Sequence, residues 1–190
     1  MKPPLAPNEA ERLRVLRAYE LLDTPAETAL DDLAELAACI CNTSIALITL
    51  VDEGRQWFKS RVRFDVAESE RDISFCAHAM LEPELFIVPD ARQDARFRDN
   101  PWVMGEPGIR FYAAAPLRTP DGHALGTLCV IDREPREMHP DHQQALRILS
   151  RQVMAQFELR HRTREIEALQ QAHDQMATTR RQEVSDTQRI

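Results

Sequence analysis

Glycine is scarce in this 190-residue chain. There are five, and none falls in a G-x-x-x-x-G-K or G-x-G-x-x-G arrangement, which excludes the usual phosphate-cradling loops. No apolar run approaches the roughly 20 residues that a membrane span needs, and Met1–Ala6 does not read as a signal peptide. Positive charge is in deficit: 24 Lys and Arg face 31 Asp and Glu, a formal net charge of −7. That balance argues against a nucleic-acid partner, which selects for basic patches. Cysteine is limited to Cys39, Cys41, Cys76 and Cys129. With no secretory signal beside them, these point to reduced thiols in a cytoplasmic protein rather than to a disulfide framework. What remains suffices for a core. The chain is 43% hydrophobic and 29% charged, and its length suits one domain of about 150 residues plus an extension.

The chain opens with helical periodicity. Asn8 with Glu11, and Thr24 with Glu27, have capping-box spacing, and Pro25 sits at a favoured first helical position. Apolar stripes through Leu13, Leu16 and Tyr19–Leu22, then Leu30, Leu33, Leu36, Ala37 and Ile40, predict helices over 8–22 and 25–41. The period then changes. Ile45–Val51, Gln56–Val62, Leu85–Val88, Ile109–Leu117 and Leu125–Asp132 read as strands, joined mostly as antiparallel hairpins. Thr119-Pro120-Asp121-Gly122 is a turn signal between the last two. From Pro140 no Pro or Gly interrupts the chain, so one long helix is expected. Leu146, Leu149, Val153 and Phe157 form its first stripe. Leu159, Arg162, Ile166, Leu169, His173 and Met176 then recur at alternating steps of three and four, a heptad seam with polar members. A helix of about 50 residues rises about 75 Å, too far to bury that seam on its own small domain.

SFCAHAM, residues 74–80, is the segment richest in chemistry. On a helix, residues two apart point about 200° apart, so Cys76 and His78 do not face one ligand. A metal site or thiol–imidazole pair within the segment is thereby disfavoured, and a buried small hydrophobe is a free cysteine's commonest role. Cys39 and Cys41 share the spacing problem, and His139 and His142 lack a third ligand, so no metal centre is expected. Cys129, on a strand face with Leu125, Thr127 and Ile131, is core or pocket wall. Ser74 lies near His78 but no G-x-S-x-G elbow presents it, and no catalytic residue is assigned. Trp57, Phe58, Phe75, Phe97, Trp102, Phe111 and Tyr112 gather in the central stretch, and Arg110 shares a strand face with Tyr112. Such a cleft would hold a small flat or anionic molecule. The alternative is that Arg110 pairs with a carboxylate such as Asp90 and the rings are core.

The runs NEAERLRVLRAYELLDTPAET, IALITLVDEGRQWFKS, SFCAHAM, PDARQDARFRDNPWV, GIRFYAAAPLRTPDG and LGTLCVIDREPREM resemble a bacterial GAF domain over roughly residues 8–160. More narrowly they resemble the branch found at the N-terminus of signalling proteins. The resemblance implies an α+β fold with a central antiparallel sheet of about five to six strands, flanked by helices. It divides the chain into a sensory domain, 8–160, and a coiled-coil signalling helix, 161–190, leading toward an effector. It implies a non-enzymatic homodimeric module that binds a small molecule, dimerises, or both, and signals to a histidine kinase, diguanylate cyclase or phosphatase. His161 lacks the acidic residue that follows a phosphoacceptor histidine. The ligand-binding set it implies is Trp57, Cys76, Asp90, Arg110, Tyr112 and Cys129; the dimerisation set is Leu159, Ile166, Leu169, His173 and Met176. No cofactor is identified. Bilin-binding relatives carry Cys directly before His, whereas Ala77 intervenes here, which argues against a covalent bilin. The N-K-x-x-x-F-x-x-x-D-E signature of cyclic-nucleotide binders is missing. GAF-type methionine sulfoxide reductases converge two or three cysteines on the pocket, as Cys76 and Cys129 could. Arg63 and Ala114 stand where glycine is expected. Two other classes therefore stand beside the sensor: a thiol-based redox sensor or such a reductase, and a ligand-free dimerisation scaffold.

Overall fold

The apolar run Ile45–Val51 forms β1 and is buried at all seven positions. Such a run suits a strand covered on both faces, and the topology gives it that place. In the computed structural model, which describes residues 1–187 and side chains through residue 179, β1 lies inside one six-stranded antiparallel sheet. Its companions are β2 (Arg55–Val62), β3 (Glu68–Glu70), β4 (Phe86–Val88), β5 (Phe111–Arg118) and β6 (Ala124–Asp132), in the order β3-β2-β1-β6-β5-β4. The architecture is the expected α+β one. The strand without a clear sequence signal is β3, three residues with two glutamates on the sheet edge. The turn after β5 closes as its residues demand: Thr119 and His123 pair, and Gly122 takes φ 88°. Gly126 marks a close approach, since a Cβ there would lie 1.9 Å from the Thr49 carbonyl oxygen.

Residues Met1–Gln156 form one compact unit, and the helix from Phe157 onward forms a second. In the first, α1 (Glu9–Ala18) and α2 (Thr28–Cys41) lie against the sheet, and Leu146, Leu149 and Val153 of α5 (Pro140–Thr187) are buried. On the opposite face sit α3 (Phe75–Ala79), α4 (Pro101–Met104) and the loops between them. The last three positions of the expected 161–190 segment lie outside the described residues.

The first two helices are shorter than their apolar stripes predict, and the reason is tertiary. After α1 the chain enters left-handed backbone at Glu20 (φ 49°) and Asp23 (φ 57°), which ends the helix while Tyr19 and Leu21 stay buried. Neither capping box forms. Lys59, with a fully buried side chain, places its ammonium 2.7 Å from Thr24 Oγ1, 2.7 Å from the Pro25 carbonyl and 2.6 Å from Glu27 Oε1. The groups that would have capped a helix at 25 instead surround a cation, and α2 starts at Thr28. Its buried face follows the expected stripe only in part: Leu30 and Ala37 are buried as expected. Ala34, Ala37, Ala38 and Cys41 meet the sheet, small enough for close approach, while Leu36 and Ile40 are exposed.

Candidate functional site

The face beneath α3 is where the chemistry-bearing residues meet. Ser74 caps α3, its hydroxyl accepting from the Ala77 N–H at 2.9 Å while donating to Gln56 Oε1 on β2. That anchor aims Cys76 at the sheet. There Thr49 opposes Thr127, and Cys129 opposes Leu47 on one side and Ala114 on the other, so these positions share one face with Tyr112. Cys76 Sγ lies 3.9 Å from Cys129 Sγ, and the Tyr112 hydroxyl donates to Cys76 Sγ at 3.1 Å. The Thr49 and Thr127 hydroxyls are 3.1 Å apart beside them. The pair is enclosed: Cys76 is 2% and Cys129 0% exposed. Phe75 stacks on Phe97 at 3.9 Å between ring centroids and tilts against Tyr112 at 5.1 Å, and Phe86 meets both Phe97 and Tyr112 edge-on.

Burial alone would raise the Cys76 thiol. Hydrogen bonds from Cys129, Thr127, Thr49 and Tyr112 to its sulfur outweigh that and bring it below the ordinary thiol value. Cys129 moves the opposite way, raised by burial and then by its bond and charge interaction with Cys76. Tyr112 is raised by burial and by the two sulfurs, so it stays a neutral donor. The arrangement is a thiolate-prone sulfur next to a protonated one. Two thiols this close can lose two electrons to an oxidant or share one soft ligand.

The expected ligand set is divided by the structure. Cys76, Tyr112 and Cys129 come together. Trp57 opposes Leu50, on the other sheet face from its neighbour Phe58, and lies near Lys59. Asp90 makes a two-pronged ion pair with Arg92 at 3.0 and 2.8 Å. Arg110 donates to the carbonyls of Val103 and Ile109 at 2.8 and 3.1 Å rather than into the aromatic cluster. His78 points away from Cys76, as helical geometry requires, and shares a hydrogen bond with the Met1 carbonyl at 3.0 Å; burial pushes its imidazole below the ordinary range. Cys39 is exposed and Cys41 buried. Among the described residues no group of three or more His, Cys, Asp or Glu could hold a metal ion, and no helix is long and apolar enough to cross a membrane.

Thr127, on the expected face with Cys129, is joined by Thr49 and Gln56, which no sequence pattern singled out; their place beside it follows from strand register. Ser74, directly before an apolar run, has the position of a helix cap. A second polar cluster fastens α1 to the neighbourhood. Glu9 is gripped through both oxygens by the buried Arg12 at 3.1 and 2.7 Å, and by the buried Arg71 at 2.6 Å.

Both the sequence and the fold have relatives among known proteins. Residues 24–157 match the GAF domain family. Over 134 residues, 70% of the chain, the sequence is 46% identical to the cyclic di-GMP phosphodiesterase PA2567 of Pseudomonas aeruginosa, though it spans only 23% of that protein. Among solved structures, the fold superposes on the GAF domain of an Acinetobacter phosphoenolpyruvate-protein phosphotransferase with a TM-score of 0.60, at 17% identity over 83% of this chain and 96% of that one. It also superposes on a domain of a two-component sensor histidine kinase protein from Sinorhizobium meliloti with a TM-score of 0.57, at 19% identity over 76% of this chain and 97% of that one. With residues 24–157, most of the chain, matched by the family model, and with a fold shared with a solved GAF domain, this chain is a member of the GAF domain family.

Proposed function

We propose that this chain is the sensory part of a bacterial signalling protein, working as a homodimer that passes a change in the globular unit along α5 to an effector. The observation that carries this reading is the exposure of the helical seam: Leu159 is 62%, Ile166 55%, Leu169 71% and Met176 66% exposed. Large aliphatic side chains at heptad spacing leave too much apolar surface for a lone helix in water, and the occupant that matches a self-complementary heptad is a second copy of the same helix. Arg162 and His173 interrupt the seam, so the pairing is weak enough to adjust. Leu36, Ile40 and Ile148 add exposed apolar positions within the globular unit.

The effector class is suggested by the phosphodiesterase relative, of which the matched region is less than a quarter. On this reading the chain regulates turnover of a nucleotide second messenger, and a histidine kinase is the other effector class that the structural likeness suggests. A ligand, where one binds, lies over Cys76, Tyr112 and Cys129, without Trp57, Asp90 and Arg110. Binding must favour one helix-pair geometry over another, because equal affinity for both shifts nothing. Thermal-shift screening of metabolites against the chain separates the sensor from a ligand-free scaffold. A stabilising compound whose effect is lost in Tyr112→Phe supports the sensor. An unresponsive unfolding midpoint across the set favours the scaffold.

A further inference from the structure

We infer that Cys76 and Cys129 form a reversible disulfide-forming pair within the fold, with a small hydroperoxide as the oxidant. For its use as a signal this rests on the sensor reading above; as chemistry it does not. Three independent features carry it. The sulfurs are already in contact at 3.9 Å, about 2 Å beyond the bond length of about 2.05 Å. The Tyr112 hydroxyl donates to Cys76 Sγ at 3.1 Å and favours the thiolate there, while burial and the neighbouring Cys76 keep Cys129 protonated, which separates the attacking sulfur from the resolving one. The remaining thiols are not built this way. Cys39 is exposed on α2, and the partner of the Cys41 thiol is the His142 carbonyl, 4.0 Å away.

The Cys76 thiolate attacks one oxygen of R–O–O–H; an S–O bond forms, the O–O bond breaks, and R–O⁻ leaves and takes up the proton that Cys76 had shed. Cys76 is then a sulfenic acid. The Cys129 sulfur attacks it, an S–S bond forms, the S–O bond breaks, and hydroxide leaves with the Cys129 proton as water. Two thiols and one hydroperoxide give one disulfide, one alcohol or water, and a further water. The thiols lose two electrons and the peroxide gains them, and an external dithiol reverses the change. Enclosure selects the oxidant. Sulfurs 0–2% exposed are reached by a small neutral molecule through local opening of the five-residue α3, whereas bulky disulfides are excluded. The product ties α3 to β6, a strand hydrogen-bonded on both sides, so oxidation stiffens the face where a ligand would sit.

The test uses the whole chain treated with hydrogen peroxide, quenched with an alkylating agent and analysed by intact and peptide mass spectrometry. The expected result is loss of two hydrogens, a fall in alkylatable thiols from four to two, and a linked peptide pair carrying Cys76 and Cys129. Cys129→Ser, a change of one atom, should hold Cys76 as a sulfenic acid trapped by dimedone. Tyr112→Phe should slow the reaction up to about fivefold near neutral pH, because raising the Cys76 thiol by about one unit from about 7 cuts its thiolate fraction from about a half to about a tenth. A dithiol should restore all four thiols. The inference is overturned if Cys76 and Cys129 stay alkylatable while Cys39 reacts, or if the only link formed joins two chains. Sedimentation of oxidised and reduced protein keeps the two proposals apart. A 76–129 link in a chain that never dimerises sinks the sensor reading and leaves this chemistry standing. A dimer without the link does the reverse.

Discussion

Replacing Lys59 by methionine should destabilise the globular unit by about 3 kcal/mol, and the figure follows from how the ammonium is held. The side chain is fully buried, with acceptors at 2.7, 2.7 and 2.6 Å in Thr24, Pro25 and Glu27. Methionine keeps most of the volume, so no large cavity opens. What is lost is the cation that satisfies three oxygens at the start of α2. Removing one partner of a buried pair costs about 3–5 kcal/mol. The lower end applies because the Glu27 side chain remains 35% exposed and turns to water, and because the Thr24 hydroxyl keeps its bond to the Leu21 carbonyl at 2.6 Å. In urea, with a slope of about 2 kcal/mol/M, the midpoint should fall by about 1.5 M with the slope unchanged. Adding Glu27→Gln should recover about 1 kcal/mol by removing the stranded carboxylate. A midpoint shift below about 0.5 M would refute the reasoning, for it would mean that the ammonium contributes no more than an exposed ion pair.

Three further outcomes test other parts of the structure. Burial would raise the Glu9 carboxyl, but hydrogen bonds and charge from Arg12 and Arg71 outweigh it and lower it from 4.5 to about 2. Its stabilisation, about 3 kcal/mol at most, is therefore complete above pH 4.5 and lost as pH falls through about 2, and Glu9→Gln should flatten the stability profile across that window in acid titrations followed by circular dichroism. Gly126→Ala should cost at least about 3 kcal/mol, because the added methyl meets the β1 backbone, and a near-neutral unfolding midpoint would show that β1 and β6 are not so close. Arg63 has φ 53° while its guanidinium bonds the Ser44 carbonyl at 2.6 Å. Arg63→Ala should thus be less stable than Arg63→Gly by about 1 kcal/mol in chemical denaturation, since both lose the bonds but only alanine keeps the backbone strain.

The sequence was most legible where a pattern needs no distant partner. Ile45–Val51 reads as a central strand because six of its seven positions are apolar, and the strand has those bounds. The TPDG turn carries its own conformational instruction. The parity of Phe111 and Tyr112 follows from the pleat, and Phe111 indeed points away from the ring cluster. Arg63 is an instructive case: glycine was expected there, and the backbone has glycine's left-handed conformation, offset by bonds that only a long cationic side chain makes. What was not legible depends on residues far apart in the chain. The caps at Asn8 and Thr24 are sound local signals, overruled when Lys59 arrives from β2 and when Asn8 turns to His123 at 3.1 Å. Trp57 and Phe58 are adjacent aromatics, and only strand register decides which one faces the cluster. Cys76 and Cys129 are 53 residues apart; composition places both in the core, but contact between their sulfurs emerges only from the fold.

The most direct test is sedimentation equilibrium of the chain across the micromolar range, alongside Ile166→Glu/Leu169→Glu. The account expects a reversible dimer for the unmodified chain and a single protomer for the variant, with the globular unit equally stable in both. A single protomer at every concentration for the unmodified chain, with the helicity beyond residue 157 lost, would contradict it.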